Sequence, residues 1–107
     1  MKKYVVRFKG QAEPGIDWTF EPIEKEVVIG TSETAIVFYK LRSREKRPIV
    51  GFSTYNIAPE EANLYFSKIQ CFCFNQQMIN PQEELLLPLF FYLEPELVED
   101  PDVGRIR

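Results

Sequence analysis

The pattern of apolar and polar residues along the chain predicts a series of short β-strands joined by turns. Runs rich in β-branched and aromatic residues recur between turn signals such as Pro14-Gly15 and Asn80-Pro81. The predicted strands cover residues 4–8, 18–20, 26–30, 34–41, 49–57, 68–74 and 85–93. No segment of useful length has the period of an amphipathic helix, so the pattern favours an all-β sandwich.

Three residues inside these strands are predicted to have particular structural roles. Trp18 is predicted to be a core residue, because a lone tryptophan in a small β domain is usually buried. Gly51 is predicted to mark a bulge or a close approach of the backbone, and Pro88 a bulge or a sheet edge.

The strongest run of charges covers residues 42–47, Arg-Ser-Arg-Glu-Lys-Arg. We interpret it as a solvated hairpin connection. The alternative is a contact patch for an acidic partner or for lipid headgroups.

Composition predicts one folded domain over residues 1–107, since 45% of the 107 residues are hydrophobic. The net charge of −3 and the lack of a basic patch argue against nucleic-acid binding. No apolar run approaches the ~20 residues needed to span a bilayer. No combination of nucleophile, base and orienting group indicates an enzyme.

The chemistry of the chain is concentrated in the segment that holds its only two cysteines, Cys71 and Cys73. In an extended segment their side chains leave one face, and those of Phe72 and Phe74 leave the other. The phenylalanines would then lie in the core and the two sulfurs outside it. Because the chain contains no histidine, two neighbouring thiolates suit a soft ion, of which Cu(I) is the physiological example.

Other interpretations of the cysteine pair stay open. The two residues could be small half-buried side chains. They could also make the chain a thiol–disulfide redox protein, in which the pair forms a strained and easily reduced disulfide. Lys68 and Gln70, which share the parity of the phenylalanines, are predicted to contact a partner protein. Met78 is predicted to be a surface or core residue, with a thioether ligand as the alternative.

The residues around the cysteines resemble a known family. The resemblance extends over nearly the whole chain, and its most specific part is the Cys-Phe-Cys-Phe core. The matching segments are Tyr55-Asn56-Ile57-Ala58-Pro59, Ala62, Tyr65-Phe66, Lys68-Ile69-Gln70-Cys71-Phe72-Cys73-Phe74, Gln77, Asn80-Pro81-Gln82-Glu83-Glu84, Pro88 and Phe90-Phe91-Tyr92, with Trp18, Phe20, Pro22 and Gly51 upstream. On these residues the chain is similar to the cytochrome c oxidase copper-assembly family of the CtaG type.

The resemblance implies an immunoglobulin-like β domain and a Cu(I) chaperone, with Cys71 and Cys73 as ligands. The implied partners are subunit I of cytochrome c oxidase, whose copper B centre receives the ion, and a copper-donor chaperone. A copper-linked homodimer is a further expectation. The implied location is the mitochondrial inner membrane facing the intermembrane space, or the periplasmic face of a bacterial inner membrane.

The chain departs from the family pattern in three ways. Members usually carry an N-terminal membrane anchor, a third cysteine ahead of the β domain and one more strand after the acidic tail. Residues 1–107 show none of these features, so we expect the chain to be the soluble domain.

Overall fold

The computed structural model describes residues 3–54, 56–58, 65–66, 70–71 and 76–99, with only the main chain of Gln70, Cys71 and Glu99. Strands dominate this part of the chain, which confirms the all-β prediction. The strands are β1 (Lys3–Arg7), β2 (Trp18–Pro22), β3 (Glu26–Gly30), β4 (Thr34–Ser43), β5 (Ile49–Gly51), β6 (Gln70–Cys71), β7 (Gln77–Ile79) and β8 (Glu84–Tyr92), followed by a 3₁₀ helix, Pro95–Glu99. The helical residues described are too few to cross a membrane.

The strands form one four-stranded sheet and two two-stranded sheets, all antiparallel. The four-stranded sheet has the order β2-β4-β8-β6, and the smaller sheets pair β1 with β3 and β5 with β7. The pairing of β4 with β8 is the longest and extends from Thr34 opposite Tyr92 to Arg42 opposite Glu84. These two long strands form the centre of the fold.

Alternation along the central strands places one face of the large sheet against the core. In β4, Val37 and Leu41 are buried, whereas Ile36 and Phe38 on the other face are about half exposed. Two clusters of buried side chains lie on the inner face. The first contains Tyr4, Val6, Ile29, Val37, Phe66, Phe91, Leu93 and Leu97, and the second contains Leu41, Ile79 and Leu87.

Most predicted strands are present with bounds close to those expected from the pattern. The strand predicted at 49–57 is shorter, since β5 ends at Gly51 and no strand includes residues 52–54 or 56–58. Strand β7 was not predicted, because three residues are too few to establish an alternating pattern. Trp18, which was predicted to be a core residue, is only partly buried, and its side chain packs against the second cluster.

Pro88 does not interrupt the central pairing, so the bulge predicted there is wrong on the β4 side. Pro88 lies opposite Phe38 in an unbroken register between β4 and β8. On the other side of β8, the described pairs with β6 are at Phe90 and Leu89 and do not include Pro88, so the sheet edge predicted there stays a prediction.

The charged run at 42–47 is not a hairpin connection, which corrects that prediction. It joins β4 of the large sheet to β5, which pairs only with β7 among the described strands. Lys46 and Arg47 are exposed, as expected for a solvated segment.

Candidate functional site

The first residue of the predicted cysteine site, Cys71, lies on strand β6, which is at one end of the described strand order β2-β4-β8-β6. Gln70 pairs with Phe90 and Cys71 with Leu89, both in β8. Leu89 is itself paired with Val37 of β4, a core residue that is 1% exposed. The main chain at Cys71 is therefore joined to β8, which pairs with β4 along its whole length.

The segment that precedes the cysteines is attached to the same core. Phe66 is buried, and its ring centroid lies 5.7 Å from that of Phe91 on β8. Phe91 also contacts Phe8, with 5.6 Å between the ring centroids. The backbone N–H of Glu94 donates a hydrogen bond of 3.0 Å to the carbonyl oxygen of Tyr65. Main-chain and aromatic contacts thus hold Tyr65 and Phe66 against the core, and Phe66 lies four residues before the start of β6.

The structure describes only part of the segment that holds the predicted site. The backbone is extended at Gln70 and Cys71, whose side chains are not described. The other predicted site residues, Lys68, Phe72, Cys73 and Phe74, lie outside the described residues. Among the described side chains, His, Cys, Asp and Glu form no group of three or more that could hold a metal ion. The metal site at Cys71 and Cys73 stays a prediction.

Met78 lies on the molecular surface, as predicted from the sequence. It is 55% exposed and pairs with Val50 across the β5–β7 sheet. Among the described strands, that sheet shares no hydrogen-bonded pairing with β6. Met78 is therefore a suitable control position for experiments on the cysteines.

A strip of apolar side chains on the outer face of the large sheet was not anticipated as a surface feature. Ile36, Phe38 and Leu86 are 50%, 45% and 60% exposed. Ile36 lies opposite Phe90, which pairs on its other side with Gln70 of β6. The sequences of β4 and β8 could have predicted this strip. Both strands are apolar at successive positions, so they place apolar side chains on both faces of the sheet.

Ion pairs lie at the other end of this strip. The Glu84 carboxylate is 3.7 Å from Lys40 Nζ and 4.0 Å from an Arg42 guanidinium nitrogen. All three side chains are more than two-fifths exposed, so these pairs contribute little to stability. The charged side chains thus lie around Glu84, and the apolar residue Ile36 lies at the end of the strip nearer to β6.

Comparisons with known proteins identify relatives over nearly the whole chain. A family model described as cytochrome c oxidase assembly protein CtaG/Cox11 matches residues 1–107. A mouse protein named cytochrome c oxidase assembly protein COX11, mitochondrial, is 47% identical over 101 residues, which are 94% of this chain and 37% of the mouse protein.

Relatives also occur outside animals. The Reclinomonas americana protein named cytochrome c oxidase assembly protein ctaG is 41% identical over 94% of this chain and 56% of its own length. The CtaG protein of Paracoccus denitrificans is 40% identical over 99% of this chain and 54% of its own length. The chain thus spans between about a third and somewhat over half of these relatives. The match over all 107 residues shows that the chain belongs to the CtaG/Cox11 family of cytochrome c oxidase assembly proteins.

Proposed function

We propose that this chain carries Cu(I) as cargo on Cys71 and Cys73 and delivers it to the copper B centre of cytochrome c oxidase subunit I. The observation that carries the proposal is family membership over the whole chain, together with two thiols one residue apart beginning on β6. Oxidase assembly is the role printed in the names of the relatives. Sulfur ligands are those that Cu(I) prefers.

The proposed chemistry is ligand exchange between thiolates. Each cysteine loses its proton on binding the ion, so the affinity for Cu(I) increases with pH. Two sulfur ligands leave the ion open to attack by the ligands of an acceptor. Attachment of β6 to β8 would limit movement of Cys71 during this exchange.

We further propose a domain type and a cellular location for this chain. Residues 1–107 form one immunoglobulin-like domain, which is supported by the antiparallel strands that cover one face of the large sheet. The domain acts at the mitochondrial inner membrane facing the intermembrane space, or at the periplasmic face of a bacterial inner membrane. Relatives of both origins support these two locations.

The proposed partners follow from the transfer reaction. A copper-donor chaperone loads the cysteines, subunit I receives the ion, and two copies of the chain can share copper in a homodimer. Lys68, Gln70, Phe72 and Phe74 are the proposed contact residues. The exposed apolar strip beside β6 supports a protein contact at this edge of the sheet.

An anaerobic Cu(I) competition titration against a chromogenic chelator tests the proposal. We expect the reduced protein to take about one copper per chain, and we expect Cys71→Ser and Cys73→Ser each to weaken binding at least about tenfold, because each removes one of two thiolate ligands. Molecular mass measured in the same samples shows whether copper promotes a dimer.

Met78→Leu is the matched control, since it removes a sulfur from a side chain that is 55% exposed on another sheet. Binding by this variant should equal that of the parent. Unchanged Cu(I) affinity in Cys71→Ser, or a reduced protein that takes no copper from the chelator, would contradict the proposal.

A further inference from the structure

The charged run at 42–47 is held against the end of the large sheet. Ser43, the last residue of β4, is buried, and its backbone N–H donates a hydrogen bond of 2.9 Å to the carbonyl oxygen of Glu83. The backbone N–H of Arg44 donates one of 2.8 Å to the carbonyl oxygen of Asp17. The main chain of the run is therefore fixed beside the start of β8 and the loop before β2.

The single carboxylate of this run is bound to the protein, and its cations are exposed. The Glu45 carboxylate accepts a hydrogen bond from the backbone N–H of Asp17, and Glu45 is partly buried. Arg44, Lys46 and Arg47 are exposed. The run thus presents a local excess of positive charge on a chain whose net charge is −3.

Exposed apolar side chains follow the run on the β5–β7 sheet. Val50 and Met78 pair across this sheet and are 63% and 55% exposed. Directly opposite residues of antiparallel strands have their side chains on the same face. Phe52 is 69% exposed, and Val50 and Phe52 both line a cleft of about 390 Å³ beside β5. We call Val50, Phe52 and Met78 the β5–β7 patch.

The cations and the β5–β7 patch are close together along the chain. Arg47 is three residues before Val50, which corresponds to about 10 Å of extended chain. The surface of an anionic bilayer attracts Lys and Arg, and the boundary between headgroups and acyl chains accepts apolar side chains such as Phe. Cations beside exposed apolar side chains match both layers of such a surface.

We propose that this end of the domain docks on an anionic bilayer surface, with Lys46 and Arg47 contacting lipid phosphates and the β5–β7 patch entering the headgroup–acyl boundary. The inference is independent of Cu(I) binding. It accounts together for the exposed cations and for the exposed apolar side chains that follow them.

The β5–β7 patch favours a bilayer over an acidic protein. An acidic surface would pair with the cations but would leave in water three apolar side chains that are each more than half exposed. Protein interfaces bury their apolar anchors in pockets of matching shape. A bilayer accepts such side chains without a preformed pocket, and it supplies the negative charge in the same surface.

The docking surface is separate from the strand that carries Cys71. Glu83, which bonds to the charged run, is six residues before Leu89, the partner of Cys71. Six residues of extended chain span about 20 Å. The bilayer contact and the cysteine site can therefore be occupied together.

Sedimentation with lipid vesicles tests this inference on the chain of residues 1–107. We expect it to bind vesicles of phosphatidylcholine with about one-third phosphatidylglycerol at least about tenfold more tightly than vesicles of phosphatidylcholine alone. Binding should weaken as salt is added, because salt screens exposed charges. Lys46→Gln combined with Arg47→Gln should weaken binding at least about tenfold, and Phe52→Ala about fivefold.

Two matched controls change exposed residues elsewhere. Lys9→Gln combined with Lys25→Gln removes the same charge beside the β1–β3 sheet, where the backbone N–H of Phe8 bonds to the Lys25 carbonyl oxygen. Phe38→Ala removes a phenylalanine that is 45% exposed on the outer face of β4. Both controls should bind vesicles as the parent does.

Equal binding to neutral and anionic vesicles would overturn the inference, as would equal losses in the test and control variants. Binding to polyglutamate without binding to vesicles would assign the cations to an acidic protein instead and would also overturn it. Cu(I) titration of the same variants separates this outcome from that of the copper proposal. None of the changed residues contains sulfur, so their affinity for Cu(I) should equal that of the parent.

Discussion

Gly10 lies at the closest approach between the loop after β1 and strand β2. A Cβ atom at this position would lie 2.5 Å from the carbonyl oxygen of Phe20 and 3.1 Å from a ring carbon of Tyr39. The first contact is with backbone, which cannot rotate away as a side chain can. A glycine is therefore required here by close packing.

Gly10→Ala should destabilise the protein by about 1–3 kcal/mol, because the strand or the loop must shift to relieve the contact. Urea denaturation followed by circular dichroism measures the change. The exposed Lys9→Ala next to it is the control and should have an effect within about 0.5 kcal/mol. Equal stability of Gly10→Ala and the parent would show that the loop moves without cost.

Tyr39 connects the same loop to the large sheet. Its hydroxyl donates a hydrogen bond of 2.8 Å to the carbonyl oxygen of Lys9, and its ring stacks on Phe20 with 4.9 Å between centroids. Burial raises the pKa of the Tyr39 hydroxyl above the ordinary value of 10.0. The folded state therefore holds this proton more tightly than the unfolded state does.

The raised pKa of Tyr39 predicts a loss of stability at alkaline pH. The contribution is fully present below pH ~10, the unfolded pKa, and is lost as pH rises through the higher folded pKa. Tyr39→Phe should cost about 1 kcal/mol at pH 7, because it removes the bond to Lys9. Its free energy of unfolding should then fall less between pH 9 and pH 11 than that of the parent. Parallel stability curves for the two proteins would contradict this assignment.

At the scale of single elements, strand β8 organises the fold and the proposed site. It pairs with β4 along its whole length and with β6 at Leu89 and Phe90. Its residue Phe91 is 2% exposed and contacts the rings of Phe8 and Phe66. The same strand therefore connects the first core cluster to the backbone at Cys71.

Phe91→Ala should destabilise the protein by about 3–5 kcal/mol, because it leaves a cavity between two aromatic rings. Chemical denaturation gives the loss, and hydrogen exchange at residues 70–71 shows whether β6 opens more readily. Leu86→Ala on the same strand is the control, since its side chain is 60% exposed and the expected change is within about 0.5 kcal/mol. Equal losses in the two variants would argue against Phe91 as the connection between core and site.

Element lengths were predictable where the pattern is long and less so where it is short. The pattern predicted β3 and most of β4 and β8, because each is rich in β-branched or aliphatic residues. It missed β7 and placed the end of β5 too late, because pairing partners decide where short strands begin and end. Strand β7 exists through its pairing with β5.

At the scale of the whole molecule, the arrangement of strands depends on contacts between distant parts of the chain. Strand β2 lies between β1 and β3 in sequence, yet β1 pairs with β3 and β2 pairs with β4. The register between β4 and β8 joins Thr34 to Tyr92. Local propensity carries no information about such pairings, because they are selected by burial of the shared core.

The packing of the sheets also gives similar neighbouring residues very different solvent exposure. Val37 and Ile36 are neighbouring aliphatic residues, but one is 1% and the other 50% exposed. The inner face of the large sheet is covered by the smaller sheets, and its outer face carries the apolar strip beside β6. Only the three-dimensional arrangement shows which face is covered.

The sequence by itself determined the all-β class, most of the strands and the candidate metal ligands, because these depend on local periodicity and on residue chemistry. Two cysteines separated by one residue, in a chain without histidine, suit a soft metal ion, and a redox pair is the alternative. The tertiary structure decided that Cys71 lies on a strand that pairs with β8 at one end of the described strand order, and that a cleft opens beside β5. Both features arise from pairing and packing between residues far apart in the chain, which depend on the free energy of the whole fold.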